Sequence, residues 1–139
     1  MYKKYKSVLI SGSSGSGKTT MLKKFLDDVI DQNNVSLVLI EPKTNELEEY
    51  TKKSKCIYIN DDYENQILNI LKPMIEERLG QDFHQMVIAV DEYAYLENNF
   101  DIDCFFDWMF KNKKSLNIVF MLTSQQRIME DFDIEVKMK

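Results

Sequence analysis

The chain has 139 residues, with 18 Lys and Arg against 23 Asp and Glu, a formal charge of −5, 44% hydrophobic residues and 29% charged residues. Such a chain is long enough for one domain over 1–139 with a real core. It lacks the basic excess of an autonomous DNA binder and has no apolar run near the ~20 residues of a membrane span.

The elements alternate along the chain. Ser7-Val8-Leu9-Ile10-Ser11 reads as a short buried strand. A helix follows from about Lys18 to Asp31, its Met21, Leu22, Phe25, Leu26, Val29 and Ile30 recurring on one face. Asn33-Asn34 turns the chain into a second strand, Val35 to Glu41, apolar enough to be covered on both sides. Pro42 ends it. A helical turn is expected around Asn45 to Tyr50, then a short strand, Cys56 to Asn60. Asp61 or Asp62 is placed to cap a helix lined by Tyr63, Ile67, Ile70, Leu71, Met74, Ile75 and Leu79. Pro73 lies inside that helix and is expected to kink or split it near Lys72. Met86 to Asp91 is a buried strand ending in acid. A helix with Ile102, Phe105, Phe106, Met109 and Phe110 inward follows, with Asp101 as its expected cap. Asn117 to Thr123 is another apolar strand, and Phe132 to Met138 alternates as an edge strand would. This alternation predicts a parallel sheet with helices on both faces. Cys56 and Cys104 have no metal or redox spacing and are expected as two buried free thiols. His84 is the one histidine, which excludes a His-rich metal site.

Three of the four glycines lie in Gly12-Ser13-Ser14-Gly15-Ser16-Gly17-Lys18-Thr19. This segment fits G-x-x-x-x-G-K-[ST], a loop whose converging backbone N–H groups cradle nucleotide phosphates at a helix N-terminus. Lys18 would reach the β- and γ-phosphates, the Thr19 hydroxyl would ligate Mg²⁺, and Thr20 continues the phosphate-binding run. The strand Val87-Ile88-Ala89-Val90 delivers Asp91 and Glu92 to its C-terminal end, where open α/β sheets bind ligands. Asp91 is expected to hold Mg²⁺ through water, since this ion keeps much of its hydration shell. Glu92 is expected to polarise the attacking water. Gln125 would sit beside the γ-phosphate if its strand lies between the loop strand and the acid strand. Lysines cluster at the N-terminus, at 52–55 and at 111–114. Each cluster suits a solvated face, and DNA contact through one of them needs several subunits adding their charge in a ring.

Taken together, these segments resemble the FtsK/SpoIIIE branch of the FtsK–HerA superfamily of P-loop motors. The phosphate loop is similar to the family's G-x-T-G-S-G-K-S. Leu39-Ile40-Glu41-Pro42-Lys43 with Glu46-Leu47 and Tyr50 is similar to I-D-P-K…E-L…Y. Met74-Ile75-Glu76-Glu77-Arg78 is similar to E-M-E-R-R, Asp91 to Leu96 to D-E-F-A-D-L, and Leu122 to Gln126 to L-A-T-Q-R. The five segments keep the family's order across residues 7–128. The resemblance implies a P-loop NTPase of the RecA/ASCE type, a three-layer α/β sandwich with a mainly parallel sheet of order 5-1-4-3-2. It implies a Mg²⁺-dependent ATPase with Glu92, Gln125 and Lys18 as catalytic residues and ATP as nucleotide; a cytoplasmic location is expected from the lack of a membrane-length or signal-type apolar stretch. It also implies a homo-oligomeric ring, often hexameric, that moves double-stranded DNA. The expectation is a stripped core without the family's membrane segment, DNA-channel domain or winged-helix reader, docking on a membrane or portal partner. Glu41 replaces the family's Asp, and Tyr95 its second acid. Gln126 stands where the family has Arg, and the chain has only Arg78 and Arg127. Lys113 and Lys114 occupy the region of the family's trans-acting arginine. Without such a residue, turnover is expected to be slow or partner-dependent. The alternative expectation is a nucleotide-dependent binding or assembly module that hydrolyses ATP poorly and regulates a larger complex.

Overall fold

A computed structural model describes residues 5–32, 34–81, 83–126, 128 and 130–139. Its elements run β1 (Val8–Ser11), α1 (Lys18–Val29), β2 (Val35–Ile40), α2 (Tyr50–Lys53), β3 (Ile57–Ile59), α3 (Tyr63–Gln66), a π-helical stretch (Ile67–Leu71), α4 (Lys72–Glu76), β4 (Gln85–Val90), α5 (Ala94–Glu97), α6 (Phe100–Lys111), α7 (Lys113–Leu116), β5 (Ile118–Ser124) and β6 (Ile134–Lys137).

The strands form one six-stranded sheet in the order β3-β2-β4-β5-β1-β6. Every pairing is parallel. With the short β3 set aside and the rest renumbered, this is the expected 5-1-4-3-2 order. The sequence-based expectation differs only in the added β3, which pairs with β2 through Val38–Ile57, Leu39–Tyr58 and Ile40–Ile59 at the outer edge.

Alternation along each strand sends side chains to two cores. Ile10, Leu37, Leu39, Val87, Ala89 and Met121 pack with Leu22, Leu26 and Val29 of α1. On the opposite face, Leu9, Val38, Ile88, Val90, Phe120 and Leu122 pack with Ile67, Leu71 and Ile75 and with the aromatic face of α6. Both faces are therefore covered, which is why β4 and β5 are continuous apolar runs rather than alternating ones.

Several local expectations are corrected. Pro73 does not split its helix. The segment before it widens into the π stretch, where the Lys72 N–H donates to the Ile67 carbonyl, five residues back. That longer spacing accommodates the donor that proline lacks. Asp62 occupies the N-cap of α3 without a side-chain cap bond; its carboxylate accepts from the Asn65 amide at 3.0 Å instead. Asn99, not Asp101, caps α6, its Oδ1 accepting the Ile102 N–H at 3.1 Å. Asp101 is two residues too late and lies in the first turn. The helical turn expected around 45–50 is present as a turn through 46–49, which leads into α2. The thiols are not both buried, since Cys56 is half-buried and Cys104 exposed.

Candidate functional site

The phosphate loop joins β1 to α1, and backbone bonds fix both of its ends. The Gly12 N–H donates to the Ser124 carbonyl at 3.2 Å, tying the loop to β5. The Ser16 N–H closes a turn onto the Ser13 carbonyl, also at 3.2 Å. Gly17 takes φ 93°, a left-handed conformation that a side chain would strain, and from there the chain enters α1. No side chain caps the first turn of α1, so its amides face the loop's interior as donors for an anion. Gly12 is needed for space. A Cβ there would come within 2.6 Å of Ser16 Oγ and 2.9 Å of Met138 Cβ.

Lys18 is almost fully buried. Its ammonium donates to the Gly12 carbonyl at 2.7 Å and the Ser13 carbonyl at 3.1 Å, and lies 3.7 Å from Glu92 Oε1. The Thr19 hydroxyl lies 3.2 and 3.1 Å from the two Asp91 carboxylate oxygens. The two groups are hydrogen-bonded to each other at the edge of the loop, and they could hold a Mg²⁺, Thr19 by its hydroxyl and Asp91 through water. Both are hard oxygen donors of the kind this ion prefers.

Asp91 follows the last residue of β4 and is buried. Thr123, fully buried near the end of β5, donates its hydroxyl to Asp91 Oδ1 at 2.6 Å. The same hydroxyl accepts the Glu92 N–H at 2.8 Å. One side chain thus fixes both the carboxylate of Asp91 and the backbone of Glu92. Glu92 itself takes φ 63°, a conformation that costs a non-glycine residue about 1 kcal/mol or more and is held by surrounding contacts. Sequence reasoning did not assign Thr123 a role. Its signal was a hydroxyl ending an apolar strand, in register to meet the acid strand beside it.

Loop and acids share one cleft of about 360 Å³, lined by Ser14, Gly15, Gly17, Lys18, Thr19 and Thr20 on one side and by Asp91 and Glu92 on another. Lys43, Thr44 and Glu46 from the segment after β2 complete it. Glu41 is buried beneath that segment, accepting from the Leu47 N–H, the Tyr58 hydroxyl and the Thr44 hydroxyl, each at 2.9 Å. It pins the segment against the cleft. Carboxylate oxygens of Glu41, Glu46 and Asp91 approach within 4.8 Å of one another.

β5 does lie between β1 and β4, the condition set for Gln125. Yet Gln125 is exposed and lines a separate cavity of about 740 Å³ with Gly12, Ser13, Gln126 and Met138. Gly12 and Ser13 reach the main cleft through the carbonyls that hold Lys18. Of the two arginines, Arg78 is buried and donates to the Leu116 and His84 carbonyls, bracing the start of β4 and β5. Arg127 and the N-terminal lysines Lys3 and Lys4 lie outside the described residues. Lys113 donates to the Asp131 carbonyl at 3.1 Å, and Lys114 is exposed.

Solved structures share this architecture. EssC (ATPases 2 and 3) of Geobacillus thermodenitrificans superposes with a TM-score of 0.69 at 18% identity, over 91% of this chain and 29% of that one. EccC (ATPases 2 and 3) of Thermomonospora curvata, in complex with a signal sequence peptide, gives 0.73 at 12% identity, over 86% and 25%. The genome packaging NTPase B204 of Sulfolobus turreted icosahedral virus 2, in complex with ATP-gammaS, gives 0.56 at 14% identity, over 93% and 68%. The chain thus spans less than a third of the EssC and EccC chains. At these identities the likeness establishes the fold alone, the layered α/β sheet of P-loop NTPases. No curated protein matches the sequence significantly. The family model described as Novel STAND NTPase 3 matches residues 1–132, nearly the whole chain, and the protein belongs to that family.

Proposed function

We infer that this chain is a Mg²⁺-dependent ATPase core that converts ATP and water to ADP and phosphate, and that it works in an oligomeric ring to translocate, transfer or package double-stranded DNA. The observation that carries the chemistry is the Thr19–Asp91 oxygen pair facing the loop amides across one cleft. Thr19 and Asp91 would hold the metal, which supplies charge neutralisation at the phosphates when bound. The loop amides from Ser14 to Thr20 receive phosphate oxygens, and Lys18 exchanges its carbonyl partners for the β- and γ-phosphates. Glu92 accepts a proton from the attacking water as the water oxygen bonds to the γ-phosphorus and the bond to the bridging oxygen breaks. Thr123 holds the two acids in register. Gln125 is the candidate for water or γ-phosphate contact from the β5 end. The motor assignment draws support from the sequence resemblance and from the fold shared with a packaging NTPase.

A second reading is a nucleotide-dependent assembly module with slow turnover. Two observations favour it. Arg78 is committed to bracing carbonyls and is withdrawn from any trans-acting role. Glu97, Asp103 and Asp107 crowd one side of α5 and α6, a surface that repels a DNA backbone. ATP turnover with and without double-stranded DNA, measured with solution mass, separates the two. DNA-stimulated turnover by a ring supports the motor. A slow monomer indifferent to DNA supports the module.

A further inference from the structure

The segment after β2 brings a cation into the wall of the phosphate cleft. Lys43 follows Pro42 and lines the same cleft as Lys18, Thr19, Asp91 and Glu92. Its ammonium lies 5.3 Å from the centroid of the Tyr95 ring, within range of a cation–π contact. The Tyr95 side chain beside it holds the Lys43 pKa above its ordinary value, and the Glu92 carboxylate adds to this. Lys43 therefore spans the cleft mouth, from the β2 wall to the helix that follows the acid pair.

Transfer of a phosphoryl group needs positive charge around its oxygens beyond the loop lysine. Arg78 cannot supply it, being bound to two carbonyls inside the fold. Lys43 is exposed, so its flexible stem can leave the Tyr95 ring by side-chain rotation alone. We propose that Lys43 is a second phosphate-contacting cation, acting within its own subunit on the terminal phosphate, with the Tyr95 ring as its docking position. The inference rests on the ATP-binding reading above and adds a residue that discriminates triphosphate from diphosphate.

The test measures dissociation constants for ADP and for a non-hydrolysable ATP analogue, both with Mg²⁺, on the full chain and its Lys43→Met, Lys43→Arg and Tyr95→Leu variants. Losing one charge-assisted contact, Lys43→Met is expected to weaken the ATP analogue about tenfold to a hundredfold while leaving ADP unchanged. Lys43→Arg restores most of the preference for the analogue, and Tyr95→Leu gives an intermediate loss. An unchanged ratio of analogue to ADP affinity in Lys43→Met, with a normal melting temperature, overturns the role of Lys43 alone. Failure of the unsubstituted protein to bind either nucleotide overturns the ATP reading with it.

Discussion

One hydroxyl, that of Thr123, carries two of the bonds on which the site depends. Thr123→Val keeps the shape and removes both, leaving the Glu92 N–H without its acceptor. Stability should fall by about 1–3 kcal/mol, read by chemical denaturation. Turnover should fall more than nucleotide affinity does, and Thr123→Ser should restore both. The residues with motif spacing were legible because phosphate binding constrains type and position together: glycines where the backbone must converge or clear Met138, a lysine at the helix start, a hydroxyl next to it. Thr123 was not legible as a functional residue. A buried threonine at a strand end has no local signature, and its role depends on register with β4. Lys18→Ala should abolish nucleotide binding. Glu92→Gln should bind normally and stop turnover, checked by nucleotide titration beside phosphate release; full hydrolysis by that variant would remove Glu92 from the chemistry.

At the scale of elements, the starts of α1 and α3 were predicted to within a residue, but the cap of α6 was misassigned. Asp101 and Asn99 both suit a cap by type, and only the backbone turn at Asn99 (φ −104°, ψ 116°) selects between them. Asn99→Ala should therefore cost about 1 kcal/mol of stability, while Asp101→Ala should cost far less. The acidic side of α6 gives a pH test. Burial raises the Glu97 and Asp103 pKa values, and the charge of Asp107 raises both further. Such groups bind protons more tightly when folded. Their contribution is favourable below the ordinary carboxyl pKa values of 3.8 and 4.5 and is lost as pH rises through the raised values. Asp107→Asn removes the like-charge part only. It should raise stability at pH 7 by a few tenths of a kcal/mol, read as a small rise in melting temperature, and the gain should vanish near pH 4. The π stretch was not foreseen because proline predicts a disturbed helix without saying how the packing of Ile67, Leu71 and Ile75 resolves it.

For the whole molecule, alternation of strands and helices was enough to give the layered architecture, and the family resemblance supplied the strand order. The outer strand β3 was foreseen as a strand but not placed, since three residues carry too little pattern to choose an edge. None of the described helices is long and apolar enough to cross a membrane. The acid pair, the phosphate loop and Thr123 come from three adjacent strands, β4, β1 and β5, so the site exists only when the sheet is complete. Chelation of Mg²⁺ should accordingly weaken ATP binding without unfolding the protein, because the cores on both faces hold the sheet independently of the ion.

Calorimetric titration of ATP with Mg²⁺ into the unsubstituted chain and into Lys18→Ala tests the central claim most directly. Saturable one-to-one uptake by the first and none by a well-folded second is the predicted result. Absence of uptake by well-folded unsubstituted protein, or equal uptake by both, would contradict the account.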